Sequence, residues 1–337
     1  MRRVLITGFD VFSKHSKNIS EDLVLTLPNE LLIADPWGKS RQYDIASIEV
    51  KLEKEILSVD ENGSRRISNR IDSGDTWDAI IHVGLCGSCE IPRVELVASN
   101  ILDMRIPDNQ GRLEKNTKLG EIDKKIMLNH DFIFSEIIDQ EFELSTDAGN
   151  FICNETYFYT LKSIEDRGLE KRMQCLFLHL PDYKYITLDS CSELLKEIIG
   201  RTLFKPVMPV AAGVIIHDSE FLIARRNDNL NYGFWEFPGG KLNFGESASQ
   251  AVERELKEEF DWDVISLENL GTWYHIETEY DIELKVFRCR FNGDNPNFLD
   301  KRKWTSHDQI KWISDPSEVS PYVGSDQDVA RHVSKLI

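Results

Sequence analysis

GGKLNFGESASQAVERELKEEFDWDV, residues 239–264, joins a glycine loop to an acidic helix and so sets the architecture of the second half of the chain. From Gly240 five residues lead to Glu246 and seven more to Arg254, after which Glu255, Leu256, Lys257, Glu258 and Glu259 follow without a gap. Ala248, Ala251, Val252 and Leu256 recur at three- and four-residue steps, which predicts a helix, with Ser247 suited to its N-terminus. Glu255 and Glu259 are four apart and Glu255 and Glu258 three apart, so the three carboxylates share a helix face. Like charges so placed weaken an isolated helix. Divalent cations would neutralise them, and oxygen ligands of this kind suit Mg2+ or Mn2+. A solvated acidic helix has no need of Gly239 and Gly240 ahead of it or of Arg254 beside the acids, so the stretch reads as a metal and diphosphate site.

Working outward, 337 residues are long for one core, and two domains are expected. Forty basic against 58 acidic residues give a net charge of -18, which argues against a nucleic-acid surface and leaves no polybasic membrane patch. No apolar run approaches a membrane span, and VLITGF after Met1-Arg2-Arg3 lacks a signal-peptide cleavage pattern, so a cytoplasmic protein is expected. Six cysteines in a chain of this length do not make a disulfide framework. Cys86 and Cys89 form one CxxC. Structural zinc would need a second pair at comparable spacing, which the chain lacks; a redox pair is the favoured reading of the two, with nothing else in the sequence to support it.

Ahead of the acidic helix, VLITG, AIIHVGL and QCLFLHL read as apolar strands, separated by amphipathic segments such as 21–33 and 192–200. Strands alternating with helices predict an open, mainly parallel sheet whose sites lie beyond the C-terminal strand ends. Cys153, in STDAGNFICNETYFYTLKS, is expected near a helix N-terminus, which lowers a thiol pKa. His179 ends a strand and is the best partner for it, and Glu95 could orient that imidazole. A packed histidine and a buried cysteine are the ordinary alternative. Further on, the prolines of LFKPVMP, 203–209, mark a boundary near Lys205, and VAAGVIIHDSEFLIARRN reads as two strands joined at the polar turn HDSE.

Three stretches carry a resemblance: GFDVFSKHSKN (8–18), HVGLCGSCEIPRVELVASNILDMRIPDNQG (82–111), and STDAGNFICN with LFLHLPD. Residues 1 to about 200 resemble the pyroglutamyl peptidase family of cysteine peptidases, which remove N-terminal pyroglutamate. The resemblance implies Cys153 as nucleophile, His179 as general base and Glu95 as its orienting acid. It also implies Arg105 near the site and Phe9 and Phe12 around the pyroglutamyl ring. The chain departs from the family where Ser88-Cys89 replaces Gly-Arg, where Leu96 replaces an arginine, and where GFDVFS replaces GFxPFG. The family often associates, so a homo-oligomer is an expectation, although no stretch identifies an interface.

The spacing of residues 239–259, FWEFPGGK ahead of it and ARR at 224–226 make residues 207–337 resemble the MutT-like branch of the Nudix hydrolases. The resemblance implies that Gly239, through its carbonyl, and Glu255, Glu258 and Glu259 hold the metals, with Glu255 as general base. It places Arg225 on the phosphate or base of a nucleoside triphosphate, Lys241 on the phosphates and Phe237 on the base side. Asp261 stands where the family has a helix-exit glycine, and Ser306 where a second glutamate often stands, with His307 and Asp308 as nearby substitutes. In SPYVGSDQDVARHV, Asp326 matches a residue set against the base edge. It could accept from an exocyclic amine and, if protonated, donate; an N-cap of the final helix is the competing reading.

The expected architecture is α/β throughout. Residues 1–204 should form a doubly wound, mainly parallel sheet with helices on both faces, and residues 205–337 a Nudix α/β/α sandwich with a mixed sheet. Three functional readings follow. The second half is a nucleotide pyrophosphohydrolase; the first half is a cysteine hydrolase of a pyroglutamyl or other amide or lactam substrate; or the first half is a binding or oligomerisation module only.

Overall fold

The computed structural model describes residues 1–12, 16–126, 133, 142–243, 245–293, 295–298, 301 and 304–337. They gather into two compact units. The first takes the described residues of Met1–Pro36, Ile45–Asn129 and Ile137–Phe204, the second those of Trp37–Asp44, His130–Glu136 and Lys205–Ile337. Trp37–Asp44 is held in the second unit by Arg41, whose buried guanidinium lies 2.6 Å from Asp281; Tyr43 and Lys205 reach the same carboxylate. A pairing 240 positions apart leaves no local pattern to read.

In the first unit the strands are β1 (Arg2–Phe9), β2 (Glu30–Ile33), β3 (Ile48–Leu57), β4 (Ala79–Leu85), β5 (Arg93–Glu95), β6 (Val97–Ala98), β7 (Lys124–Lys125), β8 (Glu143–Ser145) and β9 (Gln174–Leu180). Seven of them form one sheet in the order β2-β3-β1-β4-β9-β5-β8. The centre, β3-β1-β4-β9, is parallel throughout, while β2 and β5 run antiparallel to β3 and β9. Of the central strands, β1, β4 and β9 are nearly continuous buried apolar runs, as strands covered on both faces require. The helices pack in two separate pairs, Ile19–Thr26 with Leu188–Leu203 and Glu61–Asp72 with Ile152–Asp166. The amphipathic segment expected over 21–33 divides. Leu27 turns extended ahead of Pro28, which ends the helix, and Glu30–Ile33 then joins the sheet as β2.

The second unit is a mixed sheet of β10 (Val207–His217), β11 (Glu220–Arg226), β12 (Trp235–Glu236), β13 (Gly239–Lys241), β14 (Val264–Ile276), β15 (Asp281–Phe291) and β16 (His307–Ile313). Its path is β12-β11-β10-β15-β14, with β13 on β10 and β16 on β11. Only β10 and β15 pair in parallel; the other pairs are antiparallel. The HDSE turn is a two-residue hairpin loop with Asp218 and Ser219 at φ 48 and 61°, the left-handed pair that matches strand twist. Two cores flank the sheet. One buries Ala251, Val252, Leu256 and Phe260 of the helix Ala248–Phe260, the other Val329, Ala330 and Val333 of the helix Asp326–Val333. The arrangement is a sandwich of helix, sheet and helix.

The helix Ala248–Phe260 starts with a capping box, in which Ser247 and Gln250 satisfy one another's backbone N–H groups. It ends at Asp261, which takes the left-handed conformation itself, φ 59° and ψ 29°, and is pinned by Lys257 at 2.5 Å. Aspartate is one of the few non-glycine residues that visits this region readily, so the exit turn survives the loss of glycine.

Candidate functional site

The first site forms at the C-terminal ends of β4 and β9. Gly84 of β4 is paired with His179 of β9, and Arg93 of β5 flanks the same histidine from the other side. Phe151 caps the helix Ile152–Asp166, which places Cys153 in its first turn. His179 Nδ1 lies 2.7 Å from Glu95 Oε1, and Cys153 neighbours the same imidazole. Both Glu95 and His179 are buried. Burial draws the His179 pKa down, but hydrogen bonds to Cys153 and Glu95 outweigh it and hold the ring at about 9. Tyr157 donates its hydroxyl to the Glu95 carbonyl at 2.9 Å, fixing the strand, and Glu95 Oε2 has no hydrogen-bond partner among the described residues. Gly84 has to be small, because a Cβ there would stand 3.1 Å from Cys153 Sγ and 3.0 Å from the Phe177 ring.

Cys153, His179 and Glu95 line a cavity of about 370 Å³ together with Phe12, Arg105 and Arg93. The structure therefore brings together five of the six residues singled out for this half. Phe9 is the exception. It packs into the core on Phe177, ring centroids 6.2 Å apart, and does not line the cavity, because as the last residue of β1 its side chain belongs to the sheet interior. Arg93, paired with Glu143, and Cys86 also line the cavity and were not anticipated as site residues. Ser13, the last residue of GFDVFS, lies outside the described residues.

The second site is organised by Arg254. It pairs with both oxygens of Glu246 at 2.8 Å, with Glu255 at 2.8 Å and Glu258 at 3.1 Å, and donates to the Lys241 carbonyl at 2.8 Å. The glycine loop is thus tied to the acidic helix by one side chain. Gly239 and Gly240 are required by close approach: a Cβ on Gly239 would stand 2.1 Å from the Ala211 carbonyl oxygen, and one on Gly240 2.3 Å from the Glu255 carboxyl carbon. Glu259 accepts from the Ser306 hydroxyl through one oxygen; the other is buried, has no hydrogen-bond partner among the described residues and lies 3.8 Å from His307 Nδ1. Burial pushes the Glu259 pKa up against the opposing pull of His307 and Ser306. His307, stacked on Phe260, places its Nε2 2.9 Å from Glu236.

A cavity of about 510 Å³ is lined by Gly239, Lys241, Glu255 and Glu259, and also by Phe237 and Asp326. Glu258 does not line it; its side chain is 60 % exposed and turned to Arg254. With Arg254 lying between the acids, no group of three His, Cys, Asp or Glu among the described residues is drawn close enough to hold an ion. Arg225 is also absent from the lining. Asp308 takes it in a two-bond pair at 2.9 and 2.8 Å, whereas its neighbour Arg226, bonded to Glu236 and Asp228, faces the cavity. Alternation along β11 sends the two arginines to opposite sides, a distinction that the ARR motif does not make. Asp326 does not cap its own helix. It is the first residue of that helix, is buried, and accepts the Phe237 N–H at 2.7 Å. Burial, reinforced by Glu236, raises its pKa well above the usual carboxylate range, so it is protonated more readily than an exposed aspartate.

Comparison with known proteins divides the chain in the same way. A pyroglutamyl peptidase family model matches residues 2–193 and a NUDIX domain model residues 207–323. The first region is similar to a pyrrolidone-carboxylate peptidase of Fusobacterium nucleatum, 28 % identical over 193 residues, which is 54 % of this chain and 78 % of the relative. The second is similar to an 8-oxo-dGTP diphosphatase of Proteus vulgaris, 41 % identical over 85 residues, 25 % of this chain and 76 % of the relative. The pyrrolidone carboxyl peptidase of Thermococcus litoralis shares the fold, with a TM-score of 0.50 and 21 % identity over 60 % of this chain and 94 % of that one.

Proposed function

We propose, for a chain that belongs to the pyroglutamyl peptidase family over residues 2–193 and to the NUDIX family over residues 207–323, that the second half is the principal enzyme. It is a Mg2+- or Mn2+-dependent hydrolase that converts a nucleoside triphosphate to monophosphate and diphosphate. One observation carries the reading: a single cavity of about 510 Å³ has the acidic helix face and Lys241 on its wall as well as Phe237 and Asp326. A diphosphate and a base fit there as parts of one molecule. The Proteus relative is named for an oxidised guanine nucleotide, which favours that class of base. The halves are read as domains of residues 1–204 and 205–337, with Trp37–Asp44 an excursion from the first.

The donors suit a divalent ion by their chemistry: the orphaned Glu259 oxygen and the Glu255 carboxylate, held by Arg254 and pressed against Gly240, are hard anionic oxygens that such an ion would draw together. The Gly239 carbonyl, Glu255 and Glu259, which line the cavity, would hold it, and Glu258 would join them on leaving Arg254. Bound there, it would withdraw charge from the phosphate oxygens and lower the pKa of an attacking water. Lys241 neutralises phosphate charge, Glu255 takes the proton from water, and Asp326 orients the base. Release of diphosphate from a panel of normal and oxidised nucleoside triphosphates tests this. Mg2+-dependent release, lost in Glu259→Gln, is expected; release unaffected by that change or by removal of Mg2+ would overturn the reading.

The bonded set of Cys153, His179 and Glu95 supports a second reading, in which the first half hydrolyses a pyroglutamyl peptide or another amide or lactam. Glu95 holds Nδ1, and Nε2 carries the proton that is given to the departing amine. Equal hydrolysis of a pyroglutamyl-aminocoumarin by the wild type and Cys153→Ala would sink it and leave the binding or oligomerisation role.

A further inference from the structure

The turn after β4 carries a second sulfur group beside the Cys153 cavity. Cys86 and Cys89 are joined by a disulfide with Cα atoms 5.4 Å apart, the one disulfide among the described residues, and the other four cysteines are free. Three of those four are shut away from solvent. Cys175, Cys191 and Cys289 are buried, and burial pushes their thiols up, to about 12 for Cys191 and Cys289. Cys153 alone is partly exposed and bonded to an imidazole.

The disulfide shares a cavity wall with this thiol through Cys86. Cys86 donates its N–H to the Leu180 carbonyl at 2.8 Å, which carries the β4–β9 pairing one residue past Leu85. Gly84 and Cys86 are two apart on that extended backbone and project to the same side, and the Cβ position of Gly84 is 3.1 Å from Cys153 Sγ. Cys86 thus emerges about 7 Å along the strand from a point in contact with the nucleophile, and it lines the same cavity. Cys89 is 1 % exposed. Of the two bonded cysteines, only Cys86 opens onto the cavity.

We propose that Cys86–Cys89 is a thiol–disulfide exchange site acting on Cys153, which switches the cavity between an open form and a sulfur-blocked form. With its proton held on His179, Cys153 attacks Cys86 Sγ. The Cys153–Cys86 bond forms, the Cys86–Cys89 bond breaks, and its electron pair leaves on Cys89 as thiolate. The step is an internal exchange with no net oxidation. Attack of Cys89 on Cys86 reverses it. A small dithiol, giving up two electrons and two protons, reduces either disulfide and leaves three free thiols and an open cavity. The exchange holds whichever substrate the first half takes, and its test uses none.

The full chain is equilibrated in dithiothreitol buffers from reduced to oxidised, and Cys153 labelling by iodoacetamide is followed by peptide mass spectrometry. Labelling about tenfold or more faster at the reduced end is expected, with a Cys86–Cys153 linked peptide in digests of the oxidised chain. Cys89→Ser, which lacks the resolving thiol, should trap that linkage under oxidised dithiothreitol, and Cys86→Ser should label at one rate across the series. Labelling of the wild type that is indifferent to the buffer, or no linked peptide in Cys89→Ser, would overturn the proposal.

Discussion

Phe237 donates its backbone N–H to Asp326 Oδ1 at 2.7 Å, joining residues 89 apart in sequence on the wall of the second cavity. One carboxylate oxygen is thereby committed to the protein and the other remains for a ligand. Because burial raises the Asp326 pKa well above the ordinary range, it takes up a proton more readily than an exposed aspartate, and the protonated acid has one oxygen able to donate.

An amide copies that hydrogen-bonding pattern. Asp326→Asn should therefore keep kcat/KM for the preferred nucleotide within a few-fold, about 1 kcal/mol. Asp326→Ala leaves the Phe237 N–H unpaired and should cost about 1–3 kcal/mol, roughly 5- to 150-fold. Steady-state kinetics of the two variants check this, and equal losses would refute it.

At Gly240 a methyl group would meet the Glu255 carboxylate at 2.3–2.6 Å. Gly240→Ala should displace the carboxylate and lower kcat by about 100-fold, the cost of a misplacement near 1 Å. The melting temperature should move little, since the clash falls on a side chain at the cavity edge. Unchanged kcat would show that Glu255 is not placed by this contact.

The two adjacent arginines separate cleanly. Arg225 and Asp308 form a pair whose side chains are 36 % and 29 % exposed, and such pairs contribute about 0–1 kcal/mol. Arg225→Ala should leave KM for the nucleotide nearly unchanged. Arg226→Ala removes a cavity-lining cation and leaves Glu236 short of a partner, so KM should rise by about tenfold or more. A larger effect at Arg225 would restore it as the ligand contact.

His179 should remain protonated at neutral pH and titrate near 9, as read by NMR of the labelled ring. Its folded pKa is raised, so the stability it contributes is fully present below about 6.5, the ordinary histidine value, and is lost as pH rises through about 9. In Glu95→Gln the titration should move down, and the loss of stability above neutrality should shrink with it. A wild-type ring that titrates near 6.5 would contradict the hydrogen-bonded arrangement.

Much of this was legible because it is local. The capping box at Ser247, the helical spacing of Glu255, Glu258 and Glu259, the polar hairpin at Asp218–Ser219 and the buried runs of β1, β4 and β9 are properties of neighbouring residues. Pro28 was equally visible, but its consequence, the switch from helix to β2, depended on β3 offering an edge.

The sequence by itself determined the chemistry on offer: one metal- and phosphate-handling stretch, a cysteine at a helix start, and a histidine and a glutamate on strands. Tertiary structure alone decided which groups meet. It turned Arg226 rather than Arg225 to the cavity, withdrew Phe9 into the core, gave Glu258 to Arg254, took Trp37–Asp44 into the second unit through Arg41 and Asp281, and placed Cys86 on the same cavity wall as Cys153. The reason is physical. Period and spacing set the face on which a side chain emerges, but its partner there is chosen by sheet register and by burial of charge, and both join residues far apart in the chain.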